Sequence, residues 1–153
     1  MKLGKNVKLI NDKIDTAFLN RQTYISTENM ISNYGGIKSA ANVPHGKCTR
    51  FSAGDILLSN IRPYFKKIWY ARFDGGCSPD ILVIRANKSL NPKYLYYFLA
   101  NDKFITYYNA SCKGTKMPRG NKDALLEYEI DLPTLQVQQH IVNTTSSLLL
   151  KSL

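Results

Sequence analysis

The sequence predicts a single domain of the α+β class. Three observations carry that prediction. Between Gly54 and Arg85, three short apolar runs (Ile56 to Asn60, Ile68 to Ala71 and Ile81 to Ile84) are separated by basic and turn-forming residues, which is strand punctuation. From Asn91-Pro92 onward the apolar residues recur at helical period instead. Strands and helices do not alternate regularly, which excludes a doubly wound sheet, and no repeat of solenoid or propeller period is present. With 153 residues, 44% hydrophobic and 21% charged, the chain is one ordinary domain able to bury roughly two-thirds of its unfolded surface.

Taken in order, Val7 to Ile10 and Tyr24 to Ser26 are short strand candidates separated by turn-favouring Asn, Asp and Thr. Thr27-Glu28-Asn29 can open one helical turn, and Gly35-Gly36 permits a sharp reversal. A polar loop is expected from there to Pro44. In the central stretch, Gly75-Gly76 reads as the break between two strands and Asp80 as a turn residue. Asn91 caps a helix that Pro92 preorganises, and one continuous helix is expected through PKYLYYFLANDKFITYYNA. Its Leu95, Phe98, Leu99, Ile105 and Tyr108 form a core-facing stripe. Gly114, Pro118 and Gly120 then make Ser111 to Gly120 an exposed basic loop. A short helix from Asn121 to Leu126, a strand from Tyr128 to Leu132 and a last helix capped by Thr134 complete the chain.

Charge points to the partner. The net charge is +10, and the 15 Lys and Arg between Lys38 and Lys122 face only four Asp. Such an excess implies a polyanion, most often nucleic acid. From Ile61 to Arg72 the chain carries Arg62, Lys66, Lys67 and Arg72 without an acid, interleaved with Tyr64, Phe65, Trp69 and Tyr70. Cations beside aromatic faces suit phosphates and bases, although the same aromatics also suit a core. Cys48, Cys77 and Cys112 lack metal or redox spacing and read as reduced thiols. The N-terminus has no signal-peptide core of roughly 7–15 apolar residues, and no run reaches the ~20 apolar residues of a membrane span. A cytoplasmic location and no membrane partner are expected.

Catalytic patterns fail on inspection. After Asp80 a restriction-type nuclease needs an acid two positions before a Lys, and Ala86-Asn87-Lys88 supplies none. Asn91-Pro92-Lys93-Tyr94 departs from the amino-methylase Asn-Pro-Pro-Tyr motif at Lys93, and no glycine-rich turn follows an N-terminal strand to hold a methyl donor. Glu127, Glu129 and Asp131 alternate along one predicted strand and read as a solvated face, while His45 and His140 lack partners at ligand spacing. No catalytic residue, cofactor or metal site is expected.

Several ordered motifs resemble the target recognition domain of the specificity (S) subunit of type I restriction-modification enzymes. They are YISTENM from Tyr24, GDILLSNIRPYFKKIWYARFDGGCSPDILVIR, LNPKYLYYFLANDKF, KGTKMPRGNKDALLEYEIDLP and LQVQQHIV, spanning about residues 1–143. The resemblance implies an α+β DNA target recognition domain with a twisted, mostly antiparallel sheet and flanking helices, over residues 1–132. Residues 133–153 correspond to the start of the family's spacer helix, matched by Pro133, Gln136, Gln138 and Gln139. It further implies that the domain reads one half of a bipartite site in double-stranded DNA, while a methyltransferase (M) subunit and a restriction (R) subunit do the chemistry. The family pattern stops at TTSSLLLKSL, so a natural half-subunit pairing with a second S half-subunit, one excised domain, and a shortened gene with only non-specific binding all stay open. RNA binding is a further alternative, since unstacked bases stack on tyrosines, and so is a nucleic-acid-modifying enzyme whose site follows none of the patterns above.

Phosphate contacts are expected from Arg62, Lys66, Lys67, Lys113, Lys116, Arg119 and Lys122, with Tyr64 between them. Base reading needs bidentate groups, for which Asn29, Asn33, Asn60 and Arg62 are the candidates.

Overall fold

The computed structural model describes residues 1–114 and 117–151, the last five of these as helix backbone. Among the described residues, ten strands and four α-helices follow one another: β1 (Val7–Leu9), β2 (Lys13–Asp15), β3 (Tyr24–Ile25), β4 (Met30–Ile31), β5 (Gly36–Ile37), β6 (Lys47–Phe51), β7 (Ile56–Ser59), β8 (Ile68–Tyr70), β9 (Gly75–Cys77), β10 (Ile81–Ala86), α1 (Pro92–Leu99), α2 (Asp102–Ala110), α3 (Lys122–Glu127) and α4 (Leu135–Lys151). They form an α+β fold with two four-stranded sheets, ordered β1-β10-β7-β8 and β2-β6-β9-β3, and a small β4-β5 hairpin. All pairings are antiparallel except β3 with β9.

The period-2 alternation of strand side chains sets the layers. Ile56, Leu58, Ile68, Leu82 and Ile84 face a helical layer and pack with Leu95, Leu99, Phe104 and Tyr108. Leu57, Trp69, Ile81 and Val83 point the other way, onto Phe51, Ile25 and Cys77 of the second sheet. The first sheet is thus covered on both faces, which is why its strands read as continuous apolar runs. Trp69 meets Phe51 edge-on, ring centroids 5.8 Å apart, across the gap between sheets.

Several expectations are corrected. A single sheet becomes two, because Gly75 and Gly76 are not a break but the strand β9 between β6 and β3. A Cβ on Gly75 would collide with the Thr23 carbonyl oxygen, so only glycine lets the backbones approach there, and one on Gly76 would crowd Cys48 Sγ at 2.6 Å and Leu19 Cδ1 at 2.7 Å. The loop expected from Gly35 to Pro44 contains β5. The long helix is two, interrupted at Ala100-Asn101, where extended Asn101 caps α2 by accepting from the Phe104 N–H at 3.0 Å. Residues 128–132 are extended but pair only through an isolated bridge between Lys2 and Glu129. Glu129 meets the N-terminal amine at 2.8 Å and Glu127 meets Lys2, so these acids serve the termini.

Candidate nucleic-acid interface

Three segments distant in sequence converge at one end of the first sheet. The 3-10 turn Pro63–Phe65 joins β7 to β8. Its backbone is bonded to the β4-β5 hairpin, where the Asn33 N–H donates to Phe65 O at 2.9 Å and the Tyr34 N–H to Lys66 O at 2.8 Å. On the other side the Arg62 N–H donates to Pro118 O at 2.8 Å, and an isolated bridge joins Ile61 to Arg119. Lys113 and Arg119 exchange both backbone bonds at 3.0 Å, closing the base of the loop that carries them.

The backbone here is strained. Asn33, Tyr34, Arg62 and Lys66 have φ of 57°, 62°, 47° and 57°, and they are the non-glycine residues with positive φ among the described residues. Each such residue costs about 1–2 kcal/mol, less for Asn. Strain of this kind survives where the surroundings over-determine it, and it concentrates at functional sites. Here the strained residues hold the segments together, Asn33, Tyr34 and Arg62 through their N–H groups and Lys66 through its carbonyl.

Side chains complete the edge. Lys66 meets Asp102 Oδ1 at 2.9 Å, and the Tyr34 hydroxyl donates to the same oxygen at 2.7 Å. Those hydrogen bonds, Lys66 first and then Tyr34, hold the Asp102 carboxyl below its ordinary value. Lys67 Nζ donates to Thr27 O at 2.7 Å. Its burial holds the ammonium below its usual value, Glu28 opposes that, and Lys38 and Arg62 add to it by repulsion. Arg119 pairs with Asp80 at 2.8 Å. The rings of Tyr64 and Phe65 lie 4.8 Å apart at the tip, both exposed.

Of the residues expected at the interface, Asn33, Arg62, Tyr64, Lys66, Lys67, Lys113 and Arg119 come together. Lys122 is exposed at the start of α3 beside them, and Lys116 lies outside the described residues. Two expectations are corrected. Asn29 is 2% exposed, and its amide is used by Ser26, Tyr24 O and Lys38 O. Asn60 is 8% exposed and accepts from the hydroxyl of buried Tyr108. An amide suited to adenine is equally suited to backbone, and burial decides in favour of the fold. Sequence reasoning missed Tyr34, Phe65, Asp80 and Asp102 as parts of this edge. The acid-free Ile61 to Arg72 run already pointed to Phe65, whereas nothing local links Tyr34 to Asp102, 68 residues on.

Among the described residues, no three His, Cys, Asp or Glu side chains are placed to hold a metal ion, and no helix is long and apolar enough to cross a membrane. A model of the type I restriction modification DNA specificity domain matches residues 3–151. The chain belongs to this family. Over 98 residues this specificity domain is 32% identical to the type I restriction enzyme EcoDI specificity subunit of Escherichia coli, which covers 64% of the chain and 22% of that subunit. Its fold is similar to that of the HsdS subunit from Thermoanaerobacter tengcongensis, with a TM-score of 0.72 at 22% identity over 99% of this chain and 42% of that one. The type I restriction-modification S subunit from M. genitalium is also similar, with a TM-score of 0.62 at 16% identity over 96% of this chain and 37% of that one. The chain therefore spans less than half the length of these relatives.

Proposed function

We propose that this specificity domain binds double-stranded DNA through the edge built from the β4-β5 hairpin, the Pro63–Phe65 turn and the Lys113–Arg119 loop. There it reads one half of a bipartite site and catalyses nothing itself. The observation that supports this most is the convergence of cations, exposed aromatics and strained backbone at one edge. Lys and Arg there position the duplex through phosphates. Asn33 and Arg62, fixed by their left-handed backbone, are the bidentate side chains suited to adenine and guanine edges in the major groove. Methylation and cleavage fall to separate M and R subunits. Val137 and Ile141, one turn apart and exposed on α4, form an apolar strip by which that helix would meet a second spacer helix.

Charge removal tests the site. Arg62→Ala and Lys67→Ala should each weaken duplex binding and lower the slope of log affinity against log salt by about 0.9. Lys8→Ala, at the exposed position of β1, should leave the slope unchanged. Equal effects from all three would place the duplex elsewhere. Turnover of DNA with magnesium or a methyl donor would overturn the non-catalytic reading, and preference for single-stranded RNA would overturn duplex recognition.

A further inference from the structure

The basic body between Lys38 and Lys122 contains four acids, and their placement divides them in two. Asp55 is buried in a bidentate pair with Arg85, both contacts 2.8 Å, and Asp74 accepts from the Ala53 N–H. These two hold turns of the sheets. The other two, Asp80 and Asp102, each sit on a cation of the DNA-binding edge, Arg119 and Lys66.

Both pairs are mounted on fixed backbone. The Asp80 carbonyl accepts from the Asn60 N–H at 2.8 Å, and Arg119 is bridged to Lys113 and Ile61. Lys66 ends the strained turn, and Asp102 opens α2, anchored a second time by Tyr34. Yet both pairs lie at the surface, with side-chain exposures of 52% and 36% for Arg119 and Asp80 and 30% and 72% for Lys66 and Asp102. A phosphate can displace an exposed carboxylate when it arrives in the right place, since each offers charge-assisted acceptors. A loosely held duplex does not bring a phosphate to that place.

We infer that Asp80 and Asp102 are specificity-determining residues: they withhold Arg119 and Lys66 from DNA that does not seat in register. This rests on the interface proposed above. Of its five described cations, Arg62, Lys66, Lys67, Lys113 and Arg119, non-specific duplex then meets three. Lower non-specific affinity matters because a genome offers about 10⁶–10⁹ competing sites.

The test measures binding of the full chain to a short duplex of random sequence across a salt series. Asp80→Asn with Asp102→Asn should steepen the slope by about 1.8, or 0.9 per freed cation, and raise low-salt affinity about tenfold. Adding Lys66→Met and Arg119→Met should abolish that gain. Asp123→Asn, which removes an exposed acid with no ion pair among the described residues, controls for charge alone. A gain no larger than that of Asp123→Asn, or one that persists without Lys66 and Arg119, overturns the inference. Thermal unfolding of each variant separates lost fold from lost latch. If Arg62→Ala and Lys67→Ala also leave the slope unchanged, the interface itself is misplaced; if they lower it, only the latch fails.

Discussion

Gln138→Leu should strip the last helix of its seat on the domain. Gln138 is fully buried, and its side chain joins three segments. Its Oε1 accepts from the Asn91 N–H at 2.7 Å, while Nε2 donates to Ser89 O and Pro133 O, both at 2.9 Å. Val142, one turn on, buries the same face of α4. Leucine has a similar volume but leaves one N–H and two carbonyls without partners. With each net bond worth about 0.5–1.5 kcal/mol, and orphaned groups costing more, the loss is about 3 kcal/mol. In a domain of this size that lowers the unfolding midpoint by roughly 6–12 °C. Calorimetry reads this directly, and urea unfolding should show a lower midpoint at unchanged m. Gln136→Ala, on the exposed side of the same helix, should stay within about 0.5 kcal/mol of the parent. A Gln138→Leu protein as stable as Gln136→Ala would refute the claim that these three bonds anchor α4.

Gly76→Ala should cost about 1–3 kcal/mol, because its methyl group meets Cys48, Leu19 and Ile14 between paired strands; an unmoved urea midpoint would show slack there. Alkaline pH should also destabilise the fold. Burial pushes the Cys77 thiol up to about 12 from an ordinary 9.0, so the unfolded chain releases a proton that the folded one keeps. That contribution is complete below 9.0 and is lost as pH rises towards about 12, with Tyr108 and Tyr96, both raised by burial, acting in the same direction. Urea midpoints across this range should fall less steeply in Cys77→Ala. Native protein should expose one thiol to alkylation, that of partly exposed Cys112, while Cys48 and Cys77 react after unfolding.

What the sequence conceals follows from how each part is stabilised. β7, β8, β10 and the start of α1 are legible because their signals are local: apolar runs, and an Asn-Pro cap whose Oδ1 accepts from the Lys93 N–H at 2.9 Å. β2 and β9 have three residues each and owe their existence to partners far along the chain, while β4 and β5, two residues each, form a hairpin too short to show an alternating pattern. The split between α1 and α2 hides behind a helical pattern that continues through Asn101, whose capping role shows only once its backbone is extended. At the candidate site, the acid-free run and the basic loop hold the cations that the fold brings to one edge. Their meeting depends on backbone bonds such as Asn33 to Phe65 and Arg62 to Pro118, which no local pattern encodes. Asn29 and Asn60 show the limit of residue type as a guide, since their amides complete the scaffold.

The most direct test of DNA recognition is selection of the purified chain against a random duplex library, with enriched sequences rebound at two salt concentrations. Any basic protein binds DNA with a Kd of about 10⁻⁴ to 10⁻⁶ M, so enrichment rather than affinity decides. Recognition predicts a short enriched motif whose single-base changes each cost about 1–3 kcal/mol, with the preference weakened by Asn33→Ala or Arg62→Ala. Salt-sensitive binding without enrichment would contradict base reading by this chain.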